Sequence, residues 1–173
     1  MGKVVNIPLG ICLGMIASAI ETYPKECMGA VFCSNLKSIK IETAIPYQIA
    51  RRNTSTVYSE TSTEFIKLNR NGFIKLGDYH SHPYTNKEVL DPLLPSFCDI
   101  KDIAVGDIEL IIRLHKVRTK SSKIVTKKDC ICISWGKFRI QVMAFKKIKK
   151  TQGRELFLKD QLLYYSILPI NVI

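Results

Sequence analysis

The chain is predicted to fold as an α+β domain, a curled and mostly antiparallel β-sheet flanked by helices, and three observations carry that expectation. Short apolar runs with strand-like alternation recur from Val4 to Phe145. Helical spacing of apolar residues shows mainly near the two ends, at Leu9 to Thr22 and Glu155 to Leu168. No internal repeat and no Pro- or Ser-rich linker divides the 173 residues, a length that suits one domain at ~100–200 residues each. The domain is expected to span 1–173, with its core in about 4–145.

Taken in order, Val4-Val5-Asn6-Ile7 reads as a strand and Leu9 to Thr22 as a helix, separated by Pro8. Lys3 followed by apolar residues to Ile20, with Ala17-Ser18-Ala19, imitates a short signal peptide. Pro8 and Gly10 split that run, so it is read as the first βα unit; it is also too short to cross a bilayer. Asn6 stands where a myristoylation motif needs Ser or Thr. Met28 to Cys33 and Ile39 to Ile45 follow as strands, residues 46–60 as loop, and Thr61-Ser62-Thr63-Glu64 as a capping box opening a short helix that stops at Asn71-Gly72. Phe73 to His82 is a strand ended by Pro83. Ile108 to Leu114, Ile131 to Trp135 and Phe138 to Phe145 are three more, with Gly136-Lys137 expected as a hairpin turn. Leu156, Leu158, Leu162, Leu163 and Ile167 suggest a terminal amphipathic helix over about 155–168.

Composition narrows the function classes. Twenty-six Lys and Arg against 15 Asp and Glu leave +11, which points to an acidic partner, nucleic acid first. A hydrophobic content of 46% excludes a disordered basic tail. Six cysteines, without a C-x-x-C pair and with four inside apolar runs, indicate a reducing, cytoplasmic setting. Cys130 and Cys132 would share a strand face, where burial is the plain reading and a metal role the sharper one. Lysines and arginines cluster at 116–128 and 146–150, as a solvated face or a docking surface for an acidic protein or RNA; no membrane role is expected. His115, beside this region, is read as packing or surface.

Two of the three histidines, His80 and His82, stand one residue apart at the end of an apolar strand. Residues i and i+2 of a strand face the same side roughly 6.5–7 Å apart, so both imidazoles can reach one metal ion. A surface or core pair is the plain alternative. Pro95-Ser96-Phe97-Cys98-Asp99 lies a loop away, and Asp99 on a first helical turn can turn back toward the histidines; Ser96-x-x-Asp99 is equally a capping box. Two histidines and one carboxylate leave a zinc position for water, the pattern of a catalytic site. Glu26, between the first helix and an apolar strand, is the candidate general base.

Glu26 before Gly29-Ala30-Val31, then Gly77-Asp78-Tyr79-His80-Ser81-His82-Pro83, then Pro95-Ser96-x-x-Asp99 together resemble the JAMM motif of the MPN-fold zinc metallopeptidases. Those enzymes cleave isopeptide or peptide bonds at the C-terminus of ubiquitin or ubiquitin-like proteins. The resemblance implies an MPN-like, cytidine-deaminase-like layout. It also implies Zn2+ held by His80, His82 and Asp99, with Glu26 as acid/base and Ser96 as a donor to the oxyanion. The implied partner is the C-terminal tail of a ubiquitin-like or sulfur-carrier protein.

This sequence departs from the family pattern in two places. Thirteen residues, Pro83 to Pro95, separate His82 from Ser96, more than the family's usual spacing, and Asp78 occupies a position that is usually apolar. Asp78 and Asp91 are therefore rival carboxylates to Asp99, although neither has a serine three residues before it. The added segment at 84–94 carries Tyr84, Val89, Leu90, Leu93 and Leu94 and reads as a substrate lid or a homodimer contact. Two other functions compete with the peptidase: a non-catalytic MPN interaction module, which predicts broken ligands, and a basic zinc protein acting at nucleic acid.

Overall fold

The computed structural model describes residues 4–37, 39–47, 51–52, 57–58, 68, 71–83, 95–101, 103–127, 129–149, 154–158 and 161–173; for 51–52, 57–58, 119–121, 154–158 and 161–163 the backbone alone is considered. The capping box at 61–64 and the 84–94 segment with Asp91 lie outside these residues.

The elements are β1 (Val5–Ile7), α1 (Leu9–Thr22), β2 (Met28–Cys33), β3 (Thr43–Pro46), β4 (Arg51–Arg52), β5 (Val57–Tyr58) and β6 (Ile74–Pro83), then α2 (Phe97–Lys101), β7 (Ile108–Thr126), β8 (Ile131–Ile148), β9 (Arg154–Leu158), β10 (Gln161–Leu168) and β11 (Ile170–Val172). Seven strands form one sheet in the order β3-β2-β6-β7-β8-β10-β9. Every neighbouring pair is antiparallel except β6 with β7. This is the predicted α+β class, a single domain consistent with the MPN-like layout.

Each face of the sheet gathers its own apolar cluster. In α1, Cys12, Met15, Ile16 and Ala19 are buried at i, i+3, i+4 and i+7, a stripe that packs on one face against Tyr79, Leu110, Ile112, Leu114, Val142 and Ala144. On the opposite face, Ile100 of α2 sits among Ile111, Met143, Phe145 and Tyr165. Farther along that face, Ala30, Phe32 and Tyr47 form a third cluster with Met28, Ile45 and Phe73. The functional candidates occupy the gap between these last two clusters.

Two glycines are required by close packing in this region. A Cβ on Gly77 would strike the backbone of Ile108 on β7, and one on Gly29 would strike the Tyr79 ring and the carbonyl of Ile45. Both belong to the motif segments, where bare backbone lets β3, β2, β6 and β7 draw together.

The structure corrects three expectations. Residues 155–168 are not a helix: β9 and β10 form an antiparallel pair, and β10 continues the sheet along β8, with Ile167 opposite Phe145 and Leu168 opposite Ala144. Tyr165 enters one core cluster and Leu168 the other, so the segment is buried on both faces and its leucines imitate a helical stripe. Gly136-Lys137 does not turn a hairpin, because β8 runs through both residues. Gly136, at φ +57°, instead marks a kink where β7 carries extra residues: the register moves from Lys116 opposite Phe138 to Ser121 opposite Gly136. The strand expected to end at Leu114 therefore runs on through the lysine-rich stretch, pairing with β8 as far as Thr126 opposite Ile131. Of the predicted strand Ile39–Ile45, the part from Thr43 joins the sheet, while Ile39 and Ile41 bond to Asn6 of β1.

Candidate metal centre

β6 places His80 and His82 on the same side, as the i, i+2 spacing predicts, with ring centroids 4.7 Å apart. Their Nε2 atoms approach to 2.8 Å. Asp99, on the first turn of α2, reaches back to both: its Oδ1 lies 3.4 Å from His80 Nε2 and its Oδ2 3.5 Å from His82 Nε2. One ligand atom from each of the three residues falls within 4.8 Å of the others.

The capping-box reading of Ser96-x-x-Asp99 also holds, and it aims the carboxylate. The Ser96 backbone N–H donates to Asp99 Oδ2 at 2.6 Å, and the Asp99 N–H donates to Ser96 Oγ at 3.2 Å. Lys147 fixes the far end of α2, its Nζ donating to the carbonyls of Lys101 and Ile103 at 2.7 Å each. Asp78 is engaged elsewhere: it accepts from Tyr47 Oη at 2.5 Å and from Lys75 Nζ at 2.8 Å.

These donors fit a small divalent cation. Tetrahedral ligands 2.0–2.1 Å from zinc stand about 3.3 Å from one another. The observed separations, 2.8 Å between the two Nε2 atoms and 3.4 and 3.5 Å from these to different oxygens of Asp99, lie near that value. Two imidazole nitrogens and a carboxylate oxygen converge where only one can hold a proton toward the others, so lone pairs are left facing a common point. His80 and Asp99 side chains are only 11% and 12% exposed, against 32% for His82, so the centre opens to solvent on the His82 side.

A fourth residue, which sequence reasoning missed, completes the arrangement. Glu109 on β7 is 2% exposed, and its Oε1 lies 2.5 Å from His80 Nδ1. A carboxylate in that position would keep a proton on His80 Nδ1 and so present the Nε2 lone pair to an ion held with His82 and Asp99. Glu109 precedes the apolar run Leu110-Ile111-Ile112, and nothing in its local sequence marks it; the parallel register of β6 with β7 does, pairing Asp78 with Glu109 and His80 with Ile111.

The electrostatics are those of a site built for charge. Burial works against a charged His80, yet hydrogen bonds to Asp99 and Glu109 and their negative charge hold its imidazole well above the ordinary range. Burial likewise opposes ionisation of Asp99, but both histidines outweigh it and its carboxyl titrates far below normal. Glu26 is 9% exposed, two residues before Met28, which pairs with His80 across β2 and β6. Burial raises its pKa from 4.5 to about 7; His80 pulls it back down and Asp99 pushes it up, so Glu26 senses both ligands. Ser81, between the histidines, points the other way and ties β6 to the segment before β2, its Oγ accepting from the Cys27 N–H at 2.8 Å. Outside the centre, Cys130 and Cys132 have their Sγ atoms 3.5 Å apart, both as free thiols.

Comparison with known proteins follows the same outline. The family described as prokaryotic homologs of the JAB domain matches residues 10–120, which spans Glu26, His80, His82, Asp99 and Glu109. The chain belongs to this family. Protein DSY2949 from Desulfitobacterium hafniense, solved in solution, is similar in structure, superposing with a TM-score of 0.65 at 17% identity over 98% of this chain and 93% of that one. That likeness concerns the fold. No curated protein sequence matches this JAB-domain chain. Among the described residues, no helix is long and apolar enough to cross a membrane.

Proposed function

We propose that this JAB-domain protein is a zinc-dependent metallopeptidase that hydrolyses an isopeptide or peptide bond at the C-terminal tail of a ubiquitin-like or sulfur-carrier protein. The observation that carries the reading is the convergence of His80, His82 and Asp99, together with a nearly buried Glu26 close enough for its charge to feel both His80 and Asp99. An interaction module has no need of that complete set. Bound there, zinc would supply a Lewis acid and a water acidic enough to react near neutral pH.

The remaining chemistry belongs to the chain. With its pKa raised to about 7, Glu26 is poised to accept a proton from the attacking water and return it to the departing amine. Glu109 holds His80 in the tautomer that presents Nε2. Ser96 receives the Asp99 N–H on its oxygen, which leaves its own hydroxyl proton to donate to the oxyanion of the attacked carbonyl. Extended glycine-rich tails suit delivery along a sheet edge by strand addition.

The test pairs metal analysis with turnover. Purified protein is expected to take up one zinc, lost in His82→Ala, and to release the C-terminal extension from a ubiquitin-like or sulfur-carrier fusion. Glu26→Gln should keep the metal and lose turnover by ~10²-fold or more. Near-normal turnover in Glu26→Gln with zinc bound, or no zinc uptake by the wild type, overturns the assignment.

A further inference from the structure

The sheet face that carries the metal ligands continues into a groove. In the parallel register of β6 with β7, His82 lies beside Arg113, and paired residues on neighbouring strands ~4.8 Å apart point to the same side. Arg113 in turn faces Gln141, and His115 faces Arg139 on β8. Beyond the kink at Gly136 the β7–β8 ribbon curls over this face, and Cys130 near its tip packs against the cluster that holds Ile100 and Ile111. The space beneath is a cavity of about 480 Å³ lined by Arg113, His115, Lys123, Ser134, Arg139 and Gln141 among others.

The charge of its described lining has one sign. Three permanent cations and a histidine line it, and among the described residues none that lines it is Asp or Glu. We infer that this groove seats an acidic peptide segment, so that the substrate carries Asp or Glu a few residues from the bond presented to His80, His82 and Asp99. Extended peptide advances ~3.3 Å per residue, so a side chain two to four residues from the scissile bond reaches from the Arg113 position to the His115 and Arg139 pair. Hydrogen-bonding Ser134 and Gln141 suit carboxylates and backbone amides alike. Among the described residues the lining offers no Phe, Tyr or Trp on which nucleic-acid bases would stack, so acidic peptide is the favoured occupant over RNA.

The inference deepens the proposed peptidase reading and rests on it for the word substrate, while its test needs neither metal nor turnover. Fluorescein-labelled ten-residue peptides, one rich in Glu and Asp, one in Gly and Ser, and a ten-nucleotide single-stranded RNA are titrated by anisotropy at near-physiological salt, where diffuse surface charge is screened. The acidic peptide is expected to bind the wild-type chain in preference to the neutral one. Arg113→Gln with Arg139→Gln should weaken it at least about tenfold, whereas Lys40→Gln with Lys149→Gln, removing the same charge elsewhere, should change it less than about twofold. Arg139→Glu alone, at an exposed position, should reproduce the loss without touching packed residues. Equal losses in both double variants, no preference for the acidic peptide, or RNA binding that is tighter and lost with the same arginines would overturn the inference. Zinc uptake by the groove variants, measured separately, reports on the metal centre alone.

Discussion

Glu26 illustrates how burial moves an ordinary carboxylate's titration toward neutral pH. Unfolded, it ionises near 4.5; folded, near 7. Below pH 4.5 both states keep the proton and the buried acid is tolerated. Between those values the folded state alone holds it, so stability declines as pH rises and the loss is complete above about pH 7. A shift of this size corresponds to roughly 3 kcal/mol at 1.36 kcal/mol per unit. Metal-free Glu26→Gln should therefore gain about that much on wild type in urea unfolding at pH 8 relative to pH 4.5, and an unchanged difference between the two pH values would refute the raised pKa. Glu109 is tested through the metal instead. Glu109→Gln keeps the volume but loses the charge behind His80 Nδ1. Zinc affinity, followed by competition with a chromophoric chelator, should fall ~10–100-fold with circular dichroism unchanged. Full affinity in that variant would show that Glu109 does not position the ligand.

Elements differed in how openly they declared themselves, and the reason is which faces they bury. α1 was legible because a single buried stripe has a single period. β6 was legible because Pro83 stops it and its histidines alternate with a buried Tyr79 and Ser81. β10 was hidden because Tyr165 and Leu168 feed opposite clusters, and a two-faced strand has no strand period to show. The β7–β8 ribbon was hidden because a glycine at positive φ signals a turn and a bulge alike, and long-range pairing decides between them. The candidate His80, His82 and Asp99 group was readable from local order, whereas Glu109 required knowing that β7 lies parallel to β6. Gly136 gives this a direct check. An L-residue in the left-handed region costs ~1–2 kcal/mol, so Gly136→Val should lower stability by that amount. It should also disturb the groove-lining neighbour Ser134, read as weaker acidic-peptide binding with zinc uptake retained. Unaltered stability and peptide binding would mean that the kink does not depend on the glycine.

At the scale of the whole molecule, the candidate metal centre joins parts that sequence holds apart. His80 and His82 come from β6, Asp99 from α2 across the 84–94 segment, Glu26 from the approach to β2, and Glu109 from β7. α2 is only five residues long, held by its capping box, by Ile100 and by Lys147. An ion shared between β6 and α2 would clamp that short helix onto the sheet, and because the three residues are brought together only in the folded chain, its binding energy would add to folding. At free zinc about a hundredfold above the dissociation constant, stabilisation is ~2.7 kcal/mol. At ~2–4 °C per kcal/mol for a domain of this size, the midpoint of thermal unfolding should rise by about 5–11 °C. Chelator should reverse the rise, and His82→Ala should abolish it while Arg139→Glu leaves it intact. A rise of the same size in His82→Ala would place the ion elsewhere, with the Cys130 and Cys132 thiols the first site to examine. No rise at all in the wild type would remove the metal from the account of this fold.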